Sequence, residues 1–312
     1  MKKAIIVAGP TASGKSALAL SLAERLNGVV INADSMQVYS TLRIVTARPS
    51  IEDEARVPHR LYGVLDPSEL CSAGRWRSLA VAEMEAAWDQ GKLPVVCGGT
   101  GLYIRSLMQG LSPIPDIPED VRTAARALFE QMGNRAFHDM LATRDPVIAA
   151  RLHPGNSQRL VRAWEVVQAT GRNLSDWQAE PPTDVLDAAF YAVSIAPERE
   201  ALYEGCDRRF RLMMEQGALA EVKAILAMHL DPALPAMKAL GVPELATYLA
   251  GTCSLEDAIR RAQQTTRNYA KRQLTWFRHQ LRTDFSLSAQ YSESFFDEIF
   301  ANIRQFLLTG DS

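Results

Sequence analysis

Gly9-Pro10-Thr11-Ala12-Ser13-Gly14-Lys15-Ser16 has the spacing of a phosphate-binding loop: two glycines with four residues between them, then lysine and serine. No other stretch constrains the fold as tightly, because such a loop works only between a strand and a helix. Ala4-Ile5-Ile6-Val7-Ala8 reads as a buried parallel strand, and Ala17 to Leu26 as an amphipathic helix stopped by Asn27-Gly28. The glycines let the backbone wind until successive N–H groups point at phosphate oxygens, the helix terminus adds its dipole, and Lys15 adds a full charge. Ser16 can hold Mg²⁺ through its hydroxyl, the metal ligand this motif suggests. Gly9, Pro10, Thr11, Ala12, Ser13, Gly14, Lys15 and Ser16 thus form a candidate diphosphate or nucleotide site. The loop reports a phosphorylated ligand without saying which.

Val29-Val30-Ile31-Asn32 reads as a second buried strand that delivers Asp34 at its carboxyl end, the edge where ligands bind in a doubly wound sheet. Asp34 is either a turn or cap aspartate or a group facing that ligand. Arg75 to Gln90 has a helical repeat, and Leu93 to Cys97 reads as a third central strand ending in Gly98-Gly99-Thr100-Gly101. A motor ATPase commonly places an acidic Mg²⁺ ligand there, and no Asn-Lys-x-Asp guanine reader occurs, so neither motor nor GTPase chemistry is indicated. The paired glycines imply close approach to a ligand or a neighbouring element, with Thr100 either facing the same edge or capping a helix.

Prolines at 113, 115 and 118 break the alternating pattern, and strand character resumes only at Phe190 to Ile195. The expected organisation is a core of residues 1–112 and 184–312 around an all-helical insertion, 113–183. Eight arginines punctuate the insertion, with Arg159 and Arg162 on one helix face. Arg208, Arg209 and Arg211 lie on a helix entered from a sheet edge, where an arginine can close over phosphates. From Ala258 to Thr283 no acidic residue occurs, and Arg260, Arg267, Lys271, Arg278 and Arg282 share one helical face. A net charge of -2 gives no global attraction to nucleic acid, so a polyanion would have to be held by this local stripe. Four dispersed cysteines offer neither zinc spacing nor a disulfide framework. The short apolar run after Lys2-Lys3 enters the phosphate loop and is neither signal peptide nor membrane span, so a cytoplasmic protein without a membrane partner is expected.

Together with Ala33 to Tyr39, Gly98 to Tyr103 and Lys271 to Arg278, the phosphate loop resembles that of bacterial tRNA dimethylallyltransferases. Pro154 to Ala163 and Pro235 to Gly241 look like the same family, so the resemblance runs nearly end to end. It implies a P-loop NTPase-like parallel sheet flanked by helices, with an all-helical insertion domain. It also implies transfer of a five-carbon group from dimethylallyl diphosphate to N6 of adenosine 37, releasing diphosphate. By that resemblance Asp34, Thr100, Lys15 and Arg209 would take the catalytic roles, and Mg²⁺ would sit on Ser16. The tRNA anticodon stem-loop would meet Asp34, Ser35, Met36, Gln37, Thr100, Arg122, Gln158, Arg159, Leu160, Val161, Arg162, Arg267, Lys271 and Arg278, with the chain acting as a monomer.

Leu42 to Pro49 departs from the family pattern, with Arg43 for an acidic residue, Val45 for a glycine and Arg48 for a lysine. Val45 is expected to lack glycine's freedom at positive φ. Gly241-Val242-Pro243-Glu244 also lacks the usual aromatic-basic pair. Three other functions share part of the pattern: an ATP-dependent small-molecule kinase, prenyl transfer to free adenine nucleotide, and a non-catalytic RNA-binding protein with a vestigial loop. The first two do not account for the basic stripe.

Overall fold

The structure is a computed structural model and describes residues 1–309. In chain order its elements are β1 (Lys2–Ala8), α1 (Lys15–Arg25), β2 (Gly28–Asn32), α2 (Ile51–Arg56), β3 (His59–Arg60), α3 (Ala73–Asp89), β4 (Leu93–Gly98) and α4 (Gly101–Gln109). Then follow α5 (Glu119–Arg144), α6 (Pro146–Arg151), α7 (Ser157–Thr170), α8 (Leu174–Ala179), β5 (Ala188–Ile195), α9 (Arg199–Glu215) and α10 (Ala218–Leu226). The last are α11 (Val242–Leu249), α12 (Leu255–Gln280), β6 (Phe285–Leu287) and α13 (Phe296–Leu308). Two units emerge, one formed by residues 1–108 with the chain from Leu186 onward, the other by residues 109–185.

The first unit is built on a parallel sheet of order β3-β2-β4-β1-β5-β6. β1 is apolar on both sides because both are covered: Ala4, Ile6 and Ala8 enter one core, Ile5 and Val7 the other. Its register sets Ala8 beside Gly98 of β4 and Ser194 of β5, while Cys97 lies beside Asn32 of β2. All four strands therefore release their next segment at one edge: the phosphate loop, the Asp34 turn, the glycine strap at 98–101 and the approach to α9. The edge strands β3 and β6 have two and three residues, too short to show a period in the sequence.

The second unit is helical. Phe137, Leu141, Leu160, Ala163 and Val166 form its core, and α5 bends at Gly133, whose φ is 72°. Buried Asp145 organises it, accepting the N–H of Ile148 at 3.0 Å and of Ser175 at 3.0 Å. Thr183 donates its N–H to the Leu111 carbonyl at 3.1 Å, which closes the base of the unit outside the prolines that suggested its limits.

Candidate active site

Ala33 carries the chain from β2 into a turn fixed by Asn32, which is fully buried. Its Oδ1 accepts the Asp34 N–H at 2.8 Å, and its Nδ2 donates to the carbonyls of Asp34 and Leu61, each at 3.0 Å. Asp34 Oδ1 accepts the Met36 N–H at 2.9 Å, so one oxygen is a turn acceptor. Its carboxylate also lines a cavity of about 270 Å³. The two readings of Asp34 are thus compatible, one oxygen fixing the turn while the group faces a ligand-sized space.

The glycine strap explains its own composition. A Cβ on Gly98 would lie 2.1 Å from the Ala33 carbonyl oxygen, and one on Gly99 would lie 2.2 Å from the Gln273 amide nitrogen. The close approach is to neighbouring elements. Thr100 Oγ1 accepts the Ser35 N–H at 2.9 Å, so its hydroxyl braces the Asp34 turn. Gln37 likewise works on the backbone, donating from Nε2 to the carbonyls of Thr46 and Ala47, both at 2.8 Å. Thr11, Asp34, Ser35, Met36 and Arg209 line the cavity; Lys15, Gln37 and Thr100 are not among its lining residues.

Arg209, on α9, donates from Nη2 to Thr11 Oγ1. Lys15 is 9% exposed and donates from Nζ to the Pro10 carbonyl at 3.2 Å. Burial pushes the Lys15 ammonium below its usual pKa, with the Cys97 thiol and the Asp34 carboxylate opposing the shift. Burial lowers Arg209 as well, again opposed by Cys206 and Asp34. Two cations held beside one carboxylate in a desolvated corner make an anion site, with the N-terminus of α1 adding its dipole. Burial also pushes the Cys97 thiol up to about 11, which leaves it protonated and inert, in agreement with a buried-thiol role.

The remaining walls escaped the sequence reading. Tyr269, Arg272 and Thr266 come from α12, Phe210 and Met213 from α9, Lys238 from the short 3-10 helix Ala236–Lys238, and Val45, Thr46 and Leu240 from loops. Burial and the nearby Asp34 carboxylate raise the Tyr269 phenol above its usual pKa, so it stays protonated. Gln273 is the sharpest omission: its Oε1 accepts the Thr11 N–H at 2.8 Å while its Nε2 donates to the Gly99 carbonyl at 2.8 Å. One buried amide thus ties the phosphate loop to the strap. Its only sequence signal was membership of the Lys271 to Arg278 motif.

Several expectations need correction. Arg282 lies beyond the end of α12, Arg260 pairs with Asp257, and Arg267 donates to both oxygens of Asp207 at 2.6 Å. The five-residue stripe therefore reduces to Lys271 and Arg278, which are exposed and line a second cavity with Arg199. Leu160 is fully buried in the helical unit and offers no side chain to RNA, whereas Gln158 and Arg159 are exposed and Val161 is half-buried. Arg122 pairs with Glu119 at 3.7 Å, and Arg162 with Glu165 at 3.5 Å. Val45 does not occupy positive φ; Ala47 does, at 53°, so valine at 45 causes no backbone strain. Arg43 pairs with Glu54 at 3.1 Å, and the Arg48 side chain is 8% exposed, which directs it inward.

The family profile described as IPP transferase matches residues 37–280. The chain is 56% identical over 307 residues to the tRNA dimethylallyltransferase of Paramagnetospirillum magneticum, covering 98% of each chain. It is 58% identical over 281 residues to the protein of that name from Rhodospirillum centenum, covering 89% of this chain and 88% of the other. Among solved structures, the full-length tRNA isopentenylpyrophosphate transferase of Bacillus halodurans matches with TM-score 0.70 and 34% identity, over 98% of this chain and 96% of that one. A eukaryotic dimethylallyltransferase described as acting on tRNA matches with TM-score 0.83 and 29% identity, over 99% of this chain and 78% of that one.

Proposed function

This chain belongs to the IPP transferase family, and from that premise we propose that it moves a dimethylallyl group from dimethylallyl diphosphate to N6 of adenosine 37 in tRNA. The observation that supports this chemistry most directly is the shared cavity, where Asp34 faces the Thr11 and Arg209 end of the phosphate loop. N6 forms a bond to the first carbon of the allylic chain as the bond from that carbon to the diphosphate oxygen breaks. Lys15, the loop N–H groups and Arg209 stabilise the charge that collects on the departing diphosphate. Adenine N6 is a poor nucleophile because its lone pair is delocalised into the ring, and Asp34 accepts its proton during attack. Thr100 acts on Asp34 indirectly, through Ser35. A kinase or a non-catalytic binder is not favoured by matches of this extent to transferases.

Mg²⁺ fits this site as an ion carried by the substrate. Ser16 is exposed at the end of the loop, and among the described residues no group of three or more His, Cys, Asp or Glu side chains could cage a metal. Ser16 would hold it, and the ion would neutralise diphosphate charge when bound. Among the described residues no helix is long and apolar enough to cross a membrane, and the reading is of a cytoplasmic enzyme acting as a single chain.

To react, adenosine 37 must leave its stack, so the stem-loop has to be gripped on its backbone. Gln158, Arg159 and Val161 are the contacts proposed in the helical unit, where Arg122 and Arg162 are already paired with Glu119 and Glu165; Lys271 and Arg278 are those proposed on α12. Incubation with dimethylallyl diphosphate, Mg²⁺ and unmodified tRNA should yield a prenylated adenosine by nucleoside mass analysis, and ATP or free AMP should not substitute. Absence of that nucleoside under single-turnover conditions would overturn the proposal.

The reduced stripe makes its own prediction. Lys271→Gln with Arg278→Gln should weaken stem-loop binding and flatten its salt dependence by roughly one logarithmic unit per lost contact. Arg267→Gln should leave the slope close to that of the parent, because Asp207 already holds that guanidinium. Fluorescence titrations across a salt series measure both.

A further inference from the structure

The segment that brings Val45 and Thr46 to the main cavity is a closed loop hung from two side chains. Within it, Arg48 donates its N–H to the Arg43 carbonyl and Ala47 donates to that of Ile44, each at 2.9 Å. Gln37 holds it from the Asp34 turn, through the Thr46 and Ala47 carbonyls. Glu221 holds it from α10, 176 residues away from Val45 in the chain. Three successive N–H groups converge on that carboxylate. Oε1 accepts from Arg43 at 2.6 Å and Ile44 at 2.9 Å, and Oε2 accepts from Ile44 at 3.0 Å and Val45 at 2.8 Å. A run of backbone donors like this forms a concavity for an anion, and here the chain supplies the anion itself.

What the clamp joins gives it a consequence for the reaction. α9 presents Arg209, Phe210 and Met213 to the cavity and passes through Gly217 into α10. Ile44 packs at that junction, its Cδ1 3.8 Å from where a Cβ on Gly217 would lie. On the other side, Asp34 accepts the Met36 N–H and Gln37 follows directly. The path from Glu221 through the 43–48 loop and Gln37 therefore ties the helix of the diphosphate arginine to the turn of the proton acceptor.

We propose that Glu221 is a positioning residue for transfer, holding this loop so that Asp34 and Arg209 keep the spacing the reaction needs, an inference that rests on the transferase reading above. Glu221 does not line the cavity, so it acts only through the loop. A misplacement of about 1 Å caused by a change away from the chemistry can cost about 10²-fold in rate. A carboxylate suits the task because it presents acceptors alone. Glutamine must turn its NH₂ toward one oxygen's pair of donors in either orientation, so Glu221→Gln keeps the shape and breaks half the clamp.

The test is single-turnover transfer from dimethylallyl diphosphate to an unmodified anticodon stem-loop, with the full chain in saturating excess and stem-loop binding measured alongside. The rate constant should fall by about tenfold in Glu221→Gln and by about 10²-fold in Glu221→Ala. The dissociation constant should stay near that of the parent, since the cations proposed to hold RNA on this unit lie on α12. With protein in excess an unfolded fraction does not enter the rate constant, and the glutamine variant keeps the test open if the alanine variant does not fold. Val222→Ala, at a fully buried neighbour on α10, controls for a loosened helix: it should lower the melting temperature and leave the rate constant at the parent value. A parental rate constant in folded glutamine variant overturns the role, as does an equal loss in Val222→Ala or a loss carried by binding. A parent protein that transfers nothing instead overturns the transferase reading itself.

Discussion

Asp34→Asn should bind the tRNA stem-loop with nearly the parent affinity and lose prenyl transfer by about 10² to 10⁴-fold, the usual cost of removing a general base. The structure makes this substitution unusually clean. Asparagine keeps an oxygen for the Met36 N–H, and Asn32 still accepts the backbone N–H of residue 34, so the turn survives. What disappears is the ability to take a proton from N6. If Asp34 served the turn alone, asparagine would do as well and the rate would stay close to the parent. Single-turnover prenylation with binding measured alongside separates the two, and a near-parental rate rules out the general-base role.

Lys15→Ala should lower turnover by about 10²-fold or more, since one donor to a developing anion is lost. Thermal stability without substrate should be retained or should rise. Burial holds the folded pKa of Lys15 below its ordinary 10.5, so the charged form is disfavoured in the folded state. That cost is complete below the folded pKa and fades as pH climbs through the folded value toward 10.5. Alanine abolishes it. Melting curves at neutral pH, run beside the transfer assay, distinguish this from a folding defect: reduced stability together with reduced activity would point to a structural lysine.

The sheet and the anion site were legible because they depend on short-range signals. The apolar run of β1, the glycine spacing and Lys15 lie within a dozen residues, and strand ends in a parallel sheet must share an edge. Asp34 was legible for the same reason. The basic stripe was only half legible, because periodicity shows which residues share a face and not what that face meets. Asp207, on another helix, takes Arg267 out of the set, and Asp257 takes Arg260. At position 45 the family pattern suggested a backbone demand, but the structure meets it at Ala47. Gln273 was out of reach, since an amide in the middle of a helix gives no local indication of the two loops it joins.

The Gln273 clasp also bears on how the protein is made. Its partner Thr11 lies 262 residues earlier in the chain, and β5, which flanks β1, follows the whole helical unit. At about 5 to 20 residues per second, roughly 10 to 50 s separate synthesis of the phosphate loop from that of the side chain that fastens it. Until β5 follows, β1 lacks one neighbour, and for the whole interval the loop lacks the Gln273 tether. A nascent chain therefore leaves the ribosome with its most recognisable motif already formed in sequence and its reaction centre still unassembled, and assembly waits on residues beyond α12 as well, since Gln290 donates to the Ala12 carbonyl and Tyr291 donates its N–H to the Ser13 carbonyl, each at 3.0 Å.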